Sequence, residues 1–108
     1  MAKSTNLTYS TAVVMQAIAS GFRFGFDIME ATGLPSGTVY PALRRLERNR
    51  LVHSSWEDEV AAHREQRPAR RYYELSPEGD DTLRSALQRY RGLERLFDDD
   101  AERAETRA

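Results

Sequence analysis

A chain of 108 residues, 40% hydrophobic and 31% charged, suits one folded domain whose core is too small to be generous, so a partner subunit is expected. No apolar run approaches the roughly 20 residues that span a bilayer, and the opening MAKSTNLTYS lacks the apolar centre of a signal peptide. This predicts a cytoplasmic protein without membrane contact, and the absence of cysteine excludes disulfides, thiolate catalysis and Cys-based zinc sites. The net charge of −1 hides an uneven distribution. From Ser36 to Arg71 eight arginines stand against five acids, and from Tyr72 to Ala108 six stand against ten. A phosphate backbone senses the local excess, because fields decay over a Debye length of about 8 Å at physiological salt.

The first predicted element is a helix from Thr8 to Ser20, capped by Thr8 or Ser10 and ended by Gly21, with Val14, Met15, Ile18 and Phe22 along its buried face. A second helix is predicted from Gly25 to Thr32. Phe26 and either Met29 or Ile28 face inward, Asp27 and Glu30 suit the helix dipole, and Gly33 turns the chain out.

The third helix carries most information. At about 100° per residue, Val39, Ala42, Leu43 and Leu46 fall on one side, and Gly37, Tyr40, Pro41, Arg44 and Arg48 fall on the other. Small residues and hydroxyls at one end, with arginines further along, suit close approach to a groove. The start is open between Thr38 as cap and a start at Pro35 or Ser36 that gives up one hydrogen bond to Pro41.

Beyond Asn49 the period changes. Residues Leu51 to Trp56 and Arg70 to Leu75 are β-prone and should pair as a hairpin, with Trp56 packed on it. The segment Glu57 to Ala69 is too charged to pack and is expected to be a mobile loop. His63, Arg64, Arg67, Arg70 and Arg71 would reach a DNA backbone from there. Arg45, nearer the core, ranks below Arg44 as a phosphate contact, with an acid as its alternative partner.

Ser76-Pro77-Glu78 opens a fourth helix with a cap, a proline at the first helical position and an acid. Its apolar stripe of Leu83, Ala86, Leu87, Tyr90, Leu93 and Phe97 predicts a dimerisation surface that packs on the partner's fourth and first helices, Val14 included. The expected organisation is a DNA-binding unit over 1–75, a dimerisation helix over 76–98 and a mobile acidic tail over 99–108. The fold class is mainly α with a small β-hairpin.

These motifs, in this order, resemble the PadR family of bacterial transcriptional regulators over most of the chain. Gly25-Phe26-Asp27-Ile28 resembles the family's Gly-Tyr-x-Ile, and Ser36 to Glu47 is similar to its recognition-helix signature. Arg70-Arg71-Tyr72-Tyr73 and Leu75-Ser76-Pro77-Glu78-Gly79 resemble its Arg-x-Tyr-Tyr and Leu-Thr-x-x-Gly. Phe24 and Phe26 stand where His and Tyr are frequent, which predicts a drier environment there. The resemblance implies a winged helix-turn-helix homodimer on palindromic operator DNA, usually a repressor, released by an effector. It is similar to the short subfamily, so a small-molecule effector would lie at the dimer interface.

The expected DNA-binding residues are Ser36, Gly37, Thr38, Tyr40, Pro41, Arg44, Arg48, Arg64, Arg67 and Arg70, and the expected dimer contacts are Val14, Leu83, Leu87, Tyr90, Leu93 and Phe97. No cofactor or metal is expected. His53 and His63 lack metal-like spacing, and neither a Ser-His-Asp set nor a phosphate loop is evident, which argues against an enzyme. The competing reading is a winged-helix protein-interaction module without DNA, which would have no need of arginines on both the third helix and the wing.

Overall fold

A computed structural model describes residues 7–106, with side-chain surroundings from 7 to 92. In chain order the elements are α1 (Tyr9–Ala19), α2 (Gly25–Thr32), α3 (Ser36–Arg48), β1 (Val52–Trp56), α4 (Glu59–Arg64), β2 (Arg71–Leu75) and α5 (Pro77–Thr106).

Thr8 caps α1, its hydroxyl accepting from the Thr11 amide at 3.3 Å, and Gly21 leaves the helix at φ 102°. That turn carries Phe22 out of the helical stripe to an exposed position, against expectation, while Val14, Met15 and Ile18 are buried. In α2 only Ile28 faces fully inward, with Met29 half-buried. Phe26 stands about 200° around the helix from Ile28 and is exposed, so the drier environment expected for it is corrected. Gly33 ends α2 in the left-handed region at φ 74°, its amide donating to the Met29 carbonyl at 2.9 Å.

Helix α3 begins at Ser36 with Pro35 as its cap residue. The Thr38 and Val39 amides both donate to the Pro35 carbonyl, at 2.9 and 3.0 Å, which decides its start. Pro41 therefore lies inside the helix, where it has no amide to donate to the exposed Gly37 carbonyl. Val39, Ala42, Leu43 and Leu46 are buried as their spacing predicts, and they meet Val14, Met15, Ile28 and Val52 in the core. Full burial of each such aliphatic side chain contributes about 1.5–3 kcal/mol before ordering costs.

The C-terminus of α3 closes in a Schellman motif. The Leu51 amide donates to the Leu46 carbonyl at 2.9 Å and the Arg50 amide to that of Glu47 at 3.0 Å, with Arg50 at φ 59°. The chain then enters an antiparallel hairpin in register Val52 to Leu75 through Trp56 to Arg71. A bridge from Phe24 to Tyr72, with the Tyr73 amide donating to the Arg23 carbonyl at 2.9 Å, docks this hairpin onto the entry to α2.

Instead of the expected loop, the hairpin connection contains α4. Asp58 caps it by accepting from the Val60 amide at 3.1 Å, and Ala62, on its inner face, is buried. The segment is charged, but Glu57, Glu65 and Arg67 pair with one another in place. Helix α5 starts from Ser76, whose hydroxyl accepts from the Gly79 amide at 3.0 Å and donates to the Arg50 carbonyl at 2.8 Å. It runs on to Thr106, through the residues read above as a mobile tail, whose Ala, Glu and Arg content without Gly or Pro can propagate a helix.

Candidate nucleic-acid interface

The outward face of α3 presents Ser36, Gly37, Tyr40, Arg44 and Arg48 to solvent, with Thr38 and Pro41 half-buried beside them. Arg44 and Arg48, one helical turn apart, form no ion pair among the described residues. Their charge is therefore uncompensated. Arg45 instead donates to the Thr11 hydroxyl at 3.3 Å, so the acid named as its alternative partner is replaced by α1.

Tyr40 is 41% exposed and still packed. A methyl group at Gly25 would stand 2.7 Å from both Cε1 and Oη of Tyr40. The ring thus lies on the first residue of α2, a place that only a missing Cβ opens.

The hairpin, or wing, is fixed to α3 by Glu47. Its carboxylate accepts from Arg71 Nη2 at 2.8 and 3.0 Å and from the Ser54 hydroxyl at 2.5 Å, and Arg71 Nε donates to that hydroxyl at 2.9 Å. At the wing tip, Arg67 grips Glu57 with two hydrogen bonds of 2.5 and 2.9 Å and Glu65 with a third of 2.9 Å. The Arg67 bond holds the Glu57 carboxyl below its ordinary value, and the same bond raises the Arg67 pKa. Arg67, expected as a free DNA contact, is thus a strut of the tip. Burial pushes the Tyr73 phenol up.

Arg64 is exposed in the last turn of α4 with no ion pair among the described residues. Arg70 lies over the Phe24 ring at 5.3 Å. The role of Glu47 has no counterpart among the expected site residues, and Trp56, expected to pack on the hairpin, is 67% exposed with Arg71 5.9 Å from its ring centre. Val52, Ser54 and Trp56 share one strand face that passes from buried to half-buried to exposed as the hairpin outruns the core. The helical spacing between Glu47 and the outward arginines was the available signal for a strut at that edge.

Two expected dimer contacts are corrected. Val14 and Leu83 are buried in the protomer's own core, because the first turns of α5 pack on α1 and a stripe of helical period does not say whose core it joins. Leu87 and Tyr90 are half-buried and line an apolar groove of about 480 Å³ with Tyr9, Ala12 and Val13. The Tyr90 hydroxyl donates to the Leu7 carbonyl at 2.9 Å, and its ring meets Tyr9 edge-on at 5.3 Å. The side chains of Leu93 and Phe97 lie outside the described residues. Among the described residues, no helix is long and apolar enough to cross a membrane, and no group of His, Asp and Glu could hold a metal.

A two-helix turn, a presented third helix and a docked hairpin define a winged helix-turn-helix protein, a class of DNA-binding transcription regulators. The chain belongs to the transcriptional regulator PadR-like family, whose model matches residues 14–85.

Among solved structures it is similar to a PadR family transcription regulator from Clostridium difficile, at 25% identity and a TM-score of 0.73, over 85% of this chain and 97% of that one. The fold is shared with the PcaV regulator of Streptomyces coelicolor, at 21% identity and a TM-score of 0.72, over 86% of this chain and 62% of that one. It is shared too with BpsR of Bordetella bronchiseptica, at 20% identity and a TM-score of 0.67, over 85% and 61%. No curated protein matches the sequence significantly.

Proposed function

We propose that this regulator is a homodimeric repressor, with residues 1–75 reading DNA and the helix from 76 joining two subunits. Two α3 helices would enter successive major grooves about 34 Å apart on a palindromic operator. Ser36, Thr38 and Tyr40 read base edges or phosphates at the helix start, Gly37 and Pro41 allow close approach, and Arg44 and Arg48 hold phosphates. Arg64 and Arg70 add salt-dependent affinity from the wing.

The observation that carries this reading is the uncompensated Arg44–Arg48 pair beside an exposed Tyr40, on a helix whose opposite face is entirely core. The groove with Leu87 and Tyr90 at its edge supports dimerisation through α1 and α5. A small-molecule effector at that interface would shift the relation between subunits and release the operator. It is supported by the fold shared with PcaV, solved with its natural ligand, and with BpsR, whose DNA binding is regulated by 6-hydroxynicotinic acid.

Selection from random duplexes tests the reading. A palindrome with half-sites about 10 base pairs apart is expected, and Tyr40→Phe should weaken that duplex more than unrelated DNA. A pool that shows no enrichment, or a site without symmetry, would remove the proposal.

A further inference from the structure

Phe26 and Trp56 are 63% and 67% exposed, although both are large and apolar. Isolated surface hydrophobics are ordinary, but these two share one cleft of about 320 Å³ whose other walls include Tyr40, Arg70 and Arg71. The cleft lies where the start of α2, the outward face of α3 and the wing converge. Its two guanidinium groups differ in kind. Arg71 is neutralised by Glu47, whereas Arg70 has the Phe24 ring as its neighbour and no ion pair among the described residues. The cleft therefore offers apolar walls and one cation that makes no ion pair among the described residues, with the Glu57 carboxylate as its more distant counter-charge.

We infer that this cleft grips the sugar–phosphate strand at the edge of the groove that α3 enters, with Phe26 and Trp56 on deoxyribose faces and Arg70 on the adjoining phosphate. The inference rests on the DNA-binding reading above. Tyr40 decides the location, because it is both a wall of the cleft and a member of the reading face. Whatever fills the cleft must border the same major groove, and that border is a backbone strand. A strand that alternates apolar sugar with singly charged phosphate complements apolar walls beside one cation without an ion pair. The interface is continuous with α3 and extends it onto α2 and β1, using residues that read no sequence.

Trp56 is the single tryptophan of the chain, so its fluorescence reports on this cleft alone. Acrylamide quenching would be measured on the full chain, free and saturated with the selected duplex, while anisotropy of labelled DNA follows binding independently. The expected result is a severalfold fall in the quenching constant at saturation. Phe26→Ser and Trp56→Ser, both at exposed positions, should weaken the selected and an unrelated duplex by the same factor. A severalfold loss is expected, the scale of the apolar area that one ring and one sugar remove from water. Arg70→Ala should lower the salt slope by about one. Saturation by anisotropy with unchanged quenching would overturn the inference and leave the DNA reading standing, as would a Phe26→Ser loss confined to the selected duplex. Failure of any duplex to bind would overturn both.

Discussion

Glu47, in the last turn of α3, and Arg71, on β2, face each other through two hydrogen bonds of 2.8 and 3.0 Å, with Ser54 of β1 completing the set. Both groups are more than a third exposed, so the pair is worth less than about 1 kcal/mol of stability. Its geometric effect is to tie the wing to α3, and on the DNA-binding reading proposed above it also occupies a cation that would otherwise seek phosphate.

Glu47→Ala should therefore barely change the urea midpoint while freeing Arg71. Binding to unrelated DNA should tighten, and the slope of log affinity against log salt should steepen by about 0.9, the value of one added phosphate contact. Operator preference falls accordingly. An unchanged slope and an unchanged preference would show that Glu47 has no part in setting selectivity.

Opposite outcomes are expected from two residues around Leu51. A Cβ at Gly79 would stand 2.0 Å from the Leu51 carbonyl oxygen, a backbone atom that cannot step aside. Gly79→Ala should destabilise the fold by about 1–3 kcal/mol or more. Arg50 occupies the left-handed region at φ 59°, where a Cβ is penalised and glycine is not. Arg50→Gly should stabilise by about 0.5–1 kcal/mol. Urea unfolding separates the cases, and a Gly79→Ala protein as stable as the parent would contradict the packing described.

At the wing tip, the Arg67 bond depresses the Glu57 pKa, so the carboxylate form is favoured by folding. A depressed folded value means the contribution is fully present above the ordinary 4.5 and is lost as pH falls through the lower folded value. The protection factor of the Ala62 amide, under the clasp, which is its exchange rate corrected for the intrinsic pH dependence, should hold steady near neutral pH and fall only once the solution is more acidic than that ordinary value. Arg67→Ala should show a low protection factor at every pH. Parental protection in that variant would mean the clasp does not hold α4.

The sequence made the helical frame legible because its signals were local. Thr8, Gly33 and Ser76 are caps whose chemistry acts within a few residues, and Val39, Ala42, Leu43 and Leu46 announce a buried face by spacing alone. What remained hidden depended on partners distant in the chain. Whether Leu83 and Val14 serve this core or a partner's cannot be told from period, and Arg67 looks free until Glu57 is placed beside it. Trp56 misled because a strand aromatic is usually covered, whereas here the hairpin extends past the core that would cover it. The order within Glu57 to Ala69 comes with the clasp of Arg67 on Glu57 and Glu65 and with the burial of Ala62, neither of which composition announces.

Leu51 joins α3 to the start of α5 through its own backbone. Its amide ends α3, its carbonyl accepts the Ser76 amide at 2.9 Å just before α5, and Gly79 is seated against that same carbonyl. So close a junction leaves little room for a hinge, and it ties α3 to α5 like the two arms of a bell crank. In the dimer proposed above, control of DNA binding would then come from how one crank is set against its twin.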